Sequence, residues 1–378
     1  NSSRGYWCEG HPGPISTICR LDYDNDTATI SRGTVGTPLA GYHTAALSAA
    51  ANALAAGLQG TATNTGYIRD LPAGPAYGYF ASNQPPASTI QRIDYDNDTA
   101  TAVVKGPLTR EEKTLIGNSN TTHGYFAGGQ AGPSGTSLVD RNDYSSDTTT
   151  CVAKGPLTSA RYAGAGVGNN NYGYNVGGWG FPGSVSNVDR IDYNNDTVAA
   201  LAKSPLSIAL SLGPQAVGNK DFGYICGGWL SSPDTIYSTI NRIDYSSDTP
   251  TPLPRGILTT GRYSSAGATG NENYGYIGAG YNGASGKSDI DRIDYSNDTA
   301  TALIKGPFLT NQGWYGTAAT GNRNYGYWGG MQANPHASTV GRLDYSSDTT
   351  TAVAKGPLTV DTQNHTAVSP RANALPIG

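Results

Sequence analysis

The chain has 378 residues and a formal net charge of −4 at pH 7, with 14% charged residues against roughly 25% in ordinary soluble domains. Both signs are scattered along it, so the concentrated basic face that nucleic acid or anionic lipid demands is missing, and neither partner is expected. Glu occurs only at Glu9, Glu111, Glu112 and Glu272, while Gly (51) and Tyr (25) are abundant; helix formers are scarce, and an all-β chain is expected.

In chain order, the sequence opens at Asn1, and its one Met is Met331, which reads as a processed or incomplete form with no signal peptide in view. A first short strand is predicted at Tyr6, Trp7 and Cys8 after Gly5. A second leads into the phrase Arg20-Leu21-Asp22-Tyr23-Asp24-Asn25-Asp26-Thr27. Cys8 and Cys19 flank this first hairpin and are a candidate disulfide if the register sets them opposite each other. Cys151 and Cys226, two repeats apart, are expected to be core thiols.

The same phrase returns at Arg92, Arg141, Arg190, Arg242, Arg292 and Arg342, with successive spacings of 72, 49, 49, 52, 50 and 50 residues. Ahead of each Arg stands a Gly-Tyr pair, from Gly5-Tyr6 and Gly78-Tyr79 to Gly326-Tyr327. The long first spacing marks an Ala-rich insert at about 41–65, expected as a short helix or ordered loop. Its weakly polar run, Ala45 to Leu58, is shorter than the roughly 20 apolar residues a spanning helix needs, so no membrane insertion is expected.

Each repeat divides into short β-branched and aromatic segments separated by Gly, Pro, Asn, Asp and Ser. Around Arg292 the predicted strands are Ser264 to Thr269 (a), Tyr274 to Gly278 (b), Ile290 to Tyr295 (c) and Thr299 to Ile304 (d). Ile290 and Ile293 lie an odd number of residues apart and point to opposite faces, so both faces of the sheet must be covered. Radially packed blades meet that demand. The expected fold is a single domain over 1–378, a seven-bladed β-propeller of four-stranded antiparallel blades. Its ring is expected to close by pairing the N-terminal strands b, c and d with a C-terminal strand a at His365 to Ser369.

Gly128-Gly129, Gly177-Gly178, Gly227-Gly228 and Gly329-Gly330 follow strand b, then come Arg-x-Asp, a turn, and Pro-Leu before the next strand a. This pattern resembles the kelch family, the propeller class that includes the galactose oxidase central domain, and the resemblance spans all seven repeats. The kelch Trp on strand d is replaced by Ala28, Ala100, Thr149, Val198, Pro250, Ala300 and Thr350. The resemblance implies kelch-like packing with different keystones.

Every repeat carries Arg, an Asp two residues later, a second Asp before Thr, and a basic residue ending strand d, among them Arg32, Lys105, Lys154, Lys203, Arg255, Lys305 and Lys355. They read as framework. The Arg is expected to bridge to a neighbouring carboxylate, and the Asp before Thr to close the c–d turn through an Asx bond. Asp22-x-Asp24-x-Asp26 and Asp94-x-Asp96-x-Asp98 alternate as calcium loops do. No Gly and no later bidentate Glu follow them, so no metal site is expected. The same turns hold N-x-T sequons at Asn25, Asn97, Asn195 and Asn297, with others at Asn120 and Asn364. These are candidate glycosylation sites or plain turn formers.

The five His lie in separate regions, and no nucleophile motif, P-loop or oxidase ligand set is present, so no enzyme and no cofactor is expected. Variation concentrates in the b–c and d–a connections, which share one face of a propeller: Trp179, Phe181, Trp229, Tyr237 and Tyr281, then Trp314 and Tyr315. Diversity on a uniform frame marks a recognition face. Two functions follow. One is a structural or interaction module outside the cytosol, extracellular or on a cell or virion surface, self-associating in an appendage or fibre or binding another surface protein. The other is a glycan-binding propeller that stacks sugars on these aromatics.

Overall fold

The computed structural model describes residues 76–370 apart from 84, 133, 265–266, 310–315 and 332–336; ahead of them it describes only the backbone of the strands Arg4–Cys8, Ile15–Asp22, Ile30–Leu39 and Ala46–Leu47. The chain, expected as one domain, divides into two compact units, Asn1–Pro72 and Ala73–Gly378. In the first, the early strands form one four-stranded sheet in which Ala46–Leu47 pairs with Tyr6 and Trp7. Its register sets Cys19 opposite Trp7 and Cys8 opposite Ile18. The side chains of that candidate disulfide, the rest of the Ala-rich insert and Asn25 lie outside the described residues.

The second unit is a β-propeller of six four-stranded antiparallel blades. From inner to outer strand, blade 1 is Thr366–Val368, Tyr77–Ala81, Ile90–Asp94 and Val103–Lys105. Blade 2 is Ile116–Ser119, His123–Ala127, Val139–Asp143 and Val152–Lys154. Blade 3 is Ala165–Gly168, Tyr172–Val176, Val188–Asp192 and Leu201–Lys203. Blade 4 is Gln215–Gly218, Phe222–Cys226, Thr239–Asp244 and Leu253–Ile257. Blade 5 is Gly267–Gly270, Tyr274–Gly278, Ile290–Asp294 and Leu303–Lys305. Blade 6 is Ala318–Gly321, Tyr325–Met331, Ala337–Asp344 and Val353–Lys355. Strand b is the most buried, as its neighbours on both sides and the flanking blades require, while strand d leaves aliphatic side chains such as Val103 and Leu303 in water.

The blades are joined by the repeated charges. Asp196 of blade 3 accepts hydrogen bonds from three side chains of blade 2: the Tyr125 hydroxyl at 2.9 Å, Arg141 Nη1 at 2.8 Å and, on its other oxygen, Lys154 Nζ at 3.0 Å. Burial, then the Asp196 carboxylate, pushes the Tyr125 pKa upward, which keeps its hydroxyl a donor. Asp147, Asp248, Asp298 and Asp348 receive the equivalent Tyr, Arg and basic residue from the blade before each of them. Next to each clamp, the strand b Tyr stacks on the turn Tyr of the following blade, with centroids 4.6 to 5.2 Å apart.

Two corrections to the sequence reading follow. The Asp before Thr does not cap its own turn. The Asx bond comes from the Asp of Arg-x-Asp instead, as when Asp143 Oδ1 accepts from Ser145 N at 2.9 Å. This also removes the calcium alternation at Asp94 and Asp98, because Asp94 caps the turn and Asp98 is clamped by Tyr327, Arg342 and Lys355. The second correction concerns the ring, which has six blades where seven were expected. The C-terminal strand pairs with Tyr77–Ala81, the second repeat, rather than with the first. Asp98 of blade 1 takes the clamp of blade 6, and Gly356 N donates to Asp98 O at 2.8 Å, so the last blade docks directly on the first and leaves no gap for another.

Candidate partner-binding face

Each strand b of blades 2, 3 and 4 ends in a Gly-Gly pair with positive φ, 63° and 106° at Gly177 and Gly178. That backbone is poorly open to other residues and turns the chain out onto the b–c face. The next residue forms a two-residue bridge with the d–a loop of its own blade: Lys113 with Gln130, Tyr162 with Trp179, Ser211 with Trp229 and Tyr263 with Tyr281. Trp179, Trp229 and Tyr281 therefore occupy one equivalent position in the consecutive blades 3, 4 and 5. Sequence spacing hid this register, because the connections differ in length.

Trp179–Gly180 pairs with Gly183–Ser184, and Trp229–Ser231 with Asp234–Ile236, so these two connections rise as small hairpins. Their flanks meet where the Ser184 and Ser231 hydroxyls lie 3.1 Å apart. Phe181 stands at the tip of the first hairpin and is 86% exposed. Trp229 stacks on Tyr263 of the next blade at 5.8 Å, Tyr263 meets Tyr281 edge-on at 5.7 Å, and the Trp229 indole N–H is held by the Asp234 carboxylate. Burial, then Tyr281 and Asp234, raises the Tyr263 pKa, so this cluster presents neutral rings beside one carboxylate.

The other candidates divide. Tyr237 is half-buried and packs against the core between blades 3 and 4. Trp314 and Tyr315 lie outside the described residues. Arg161 and Arg262, which precede Tyr162 and Tyr263 in the d–a loops, are fully buried: Arg161 Nη1 bonds Asp189 at 2.8 Å, and Arg262 Nη2 bonds Asp289 and Asp291 at 3.0 Å. They fix the loops from beneath. Burial outweighs Arg262 and Thr259 at Asp291 and raises its carboxyl pKa. The signal that was available is the spacing of Thr158-x-x-Arg161 and Thr259-x-x-Arg262, since both side chains of each pair bond the same strand c carboxylate.

On the axis, the six inner strands surround a cavity of about 90 Å³ lined by small residues, among them Gly117, Gly166, Ala216, Ala268, Ala319 and Ala367. Gln215 lines it with a buried amide that has no hydrogen-bond partner among the described residues. Among the described residues no group of three His, Cys, Asp or Glu side chains could hold a metal ion. Cys151 and Cys226 are free, buried thiols, and burial pushes Cys151 up to about 12.

No family model matches the chain, and no curated protein matches it. Among solved structures it is similar to that of YjhT, a propeller protein, with a TM-score of 0.58 and 10% identity over 68% of this chain and 88% of that one. The likeness is one of fold.

Proposed function

We propose that this protein is a non-enzymatic, kelch-like recognition propeller that works outside the cytosol, extracellularly or on a cell or virion surface, and that its b–c and d–a face binds a second copy or another surface protein. The observation that supports this reading is Phe181: an aromatic ring held 86% exposed on a braced hairpin, beside half-buried Trp179, is an apolar anchor of the kind that fills a partner's pocket. Light scattering across a concentration series tests self-association. Phe181→Ala should weaken the assembly by about 2 kcal/mol, roughly thirtyfold in Kd. A strictly monomeric protein that captures no surface protein through this face would overturn the reading.

A second reading, glycan binding, is favoured by the shared position of Trp179, Trp229 and Tyr281 in adjacent blades. Lectin propellers repeat their binding residues in this way, and rings beside a carboxylate suit a pyranose. Oligosaccharide binding abolished by Trp229→Ala, with the oligomeric state unchanged, would place this reading first.

A further inference from the structure

We propose that Asn97, Asn195 and Asn297 carry asparagine-linked oligosaccharides, displayed on every second blade of the face opposite the recognition loops. The sequence left these asparagines between two roles, turn former and glycan acceptor, and the geometry of the turns separates them.

Where asparagine serves a turn in this protein, it makes the turn's bonds. In the a–b turns, Asn169, Asn219, Asn271 and Asn322 each accept from the backbone N–H groups two and three residues on, at 2.9 to 3.0 Å. Asn120 belongs to this set. Its Oδ1 accepts from Thr122 N, Thr122 Oγ1 and His123 N at 2.8 to 3.0 Å, and the residue is 8% exposed, so its sequon is committed to the turn. Asn364 is half-buried at φ 52°, with its backbone bonded to Thr114 and Gly316.

The c–d turns differ. Their Asx bond is made by Asp94, Asp192 and Asp294, each three residues ahead of the sequon asparagine, and the sequon asparagines are exposed. Among the described residues the Asn97 and Asn195 side chains bond nothing. The Asn297 carbonyl takes one long contact from Thr299 at 3.5 Å, which leaves Nδ2 free. Thr99, Thr197 and Thr299 are exposed as well. Between Asn and Thr, the carboxylates of Asp98, Asp196 and Asp298 turn into the clamp and hold the tripeptide with its outer side chains in water. Blades 2, 4 and 6 carry Ser146, Ser247 and Ser347 at the same place, so the turn has no need of an asparagine. The three acceptors fall on blades 1, 3 and 5, a threefold spacing around the ring.

The donor is an oligosaccharide activated as a polyisoprenyl pyrophosphate. A bond forms from Nδ2 to the sugar C1, the C1–O bond to pyrophosphate breaks, and the amide gives up one proton. The full chain, secreted from a glycosylating host and purified as folded protein, can be treated with peptide N-glycosidase in heavy-oxygen water and its peptides mapped. Labelled Asp is expected at 97, 195 and 297 and not at 120 or 364. Folded secreted protein unmodified at all three would overturn the proposal. In unglycosylated chain from a bacterial host, the triple variant Asn97→Ser, Asn195→Ser, Asn297→Ser should keep the parent's thermal midpoint, whereas Asn169→Ala should lower it. A fall in the triple variant as large as that of Asn169→Ala would assign the asparagines to the turn and overturn the proposal by a separate route.

Discussion

At the scale of the residue, one carboxylate per blade does the joining. Asp196 is 6% exposed and holds three donors of the preceding blade, so Asp196→Ala strands an arginine, a lysine and a tyrosine hydroxyl in a half-closed seam. Breaking such a pair from one side costs about 3 kcal/mol, readable by urea unfolding. Asp192→Ala, two positions past Arg190, loses only the cap on Asn194 N and should cost about 1 kcal/mol. Equal losses would contradict the assignment of roles.

The clamps also set the response to acid. At Asp98, Asp196 and Asp248 burial pushes the pKa up. Bonds from the Lys, Tyr and Arg of the preceding blade outweigh it and hold each carboxyl below its ordinary value. A depressed folded pKa contributes stability that is complete above the unfolded value of about 3.9 and is lost as the pH falls through the folded one. Unfolding free energy from these groups should therefore stay level from pH 7 to about pH 5 and decline below about pH 4. Asp196→Asn should flatten that decline.

At the scale of the element, the tightest constraint is where strand d runs into the next blade. Gly155 N donates to Asp196 O at 2.9 Å, and a Cβ at Gly155 would lie 1.8 Å from Val198 O. Gly155→Ala must push the seam apart and should lower the thermal midpoint more than a substitution on the exposed strand d, such as Val152→Ala. The inner strand of blade 1 carries a different load. Thr366–Val368 is supplied from the far end of the chain and pairs Thr366 with Ala81 and Val368 with Tyr79. Deleting the chain from Thr366 onward should abolish the cooperative unfolding transition, because it strips blade 1 of its inner strand and leaves the Asp98 clamp to hold a three-stranded sheet in the ring. A synthetic peptide covering the deleted segment should restore it in part.

At the scale of the molecule, closure comes from geometry that no single repeat contains. Seven copies of the phrase exist, but the clamp runs from Arg342 to Asp98, so repeats two to seven close a ring among themselves. The buried thiols give a global readout: Cys151 and Cys226 should resist a thiol reagent in the native ring and react together on unfolding, with their pKa raised by burial.

Four-stranded blades of about fifty residues and the framework role of the repeated charges were legible in the sequence, because each follows from local alternation, turn residues and repetition. Within a repeat, period and composition place strands b and c, whereas the expected strand d at Thr299 to Ile304 proves to be Leu303–Lys305, because Thr299 and Ala300 still belong to the c–d turn. Which Asp caps and which clamps could not be read, because both stand in one turn and differ only in what the neighbouring blade presents. The common position of Trp179, Trp229 and Tyr281 and the burial of Arg161 and Arg262 were hidden for the same reason: they depend on contacts between segments far apart in the chain. The sequence by itself determined the repeating blade; the tertiary structure alone decided that the ring has six blades, because a ring closes where the last seam meets a matching partner, and the partner it meets is Asp98.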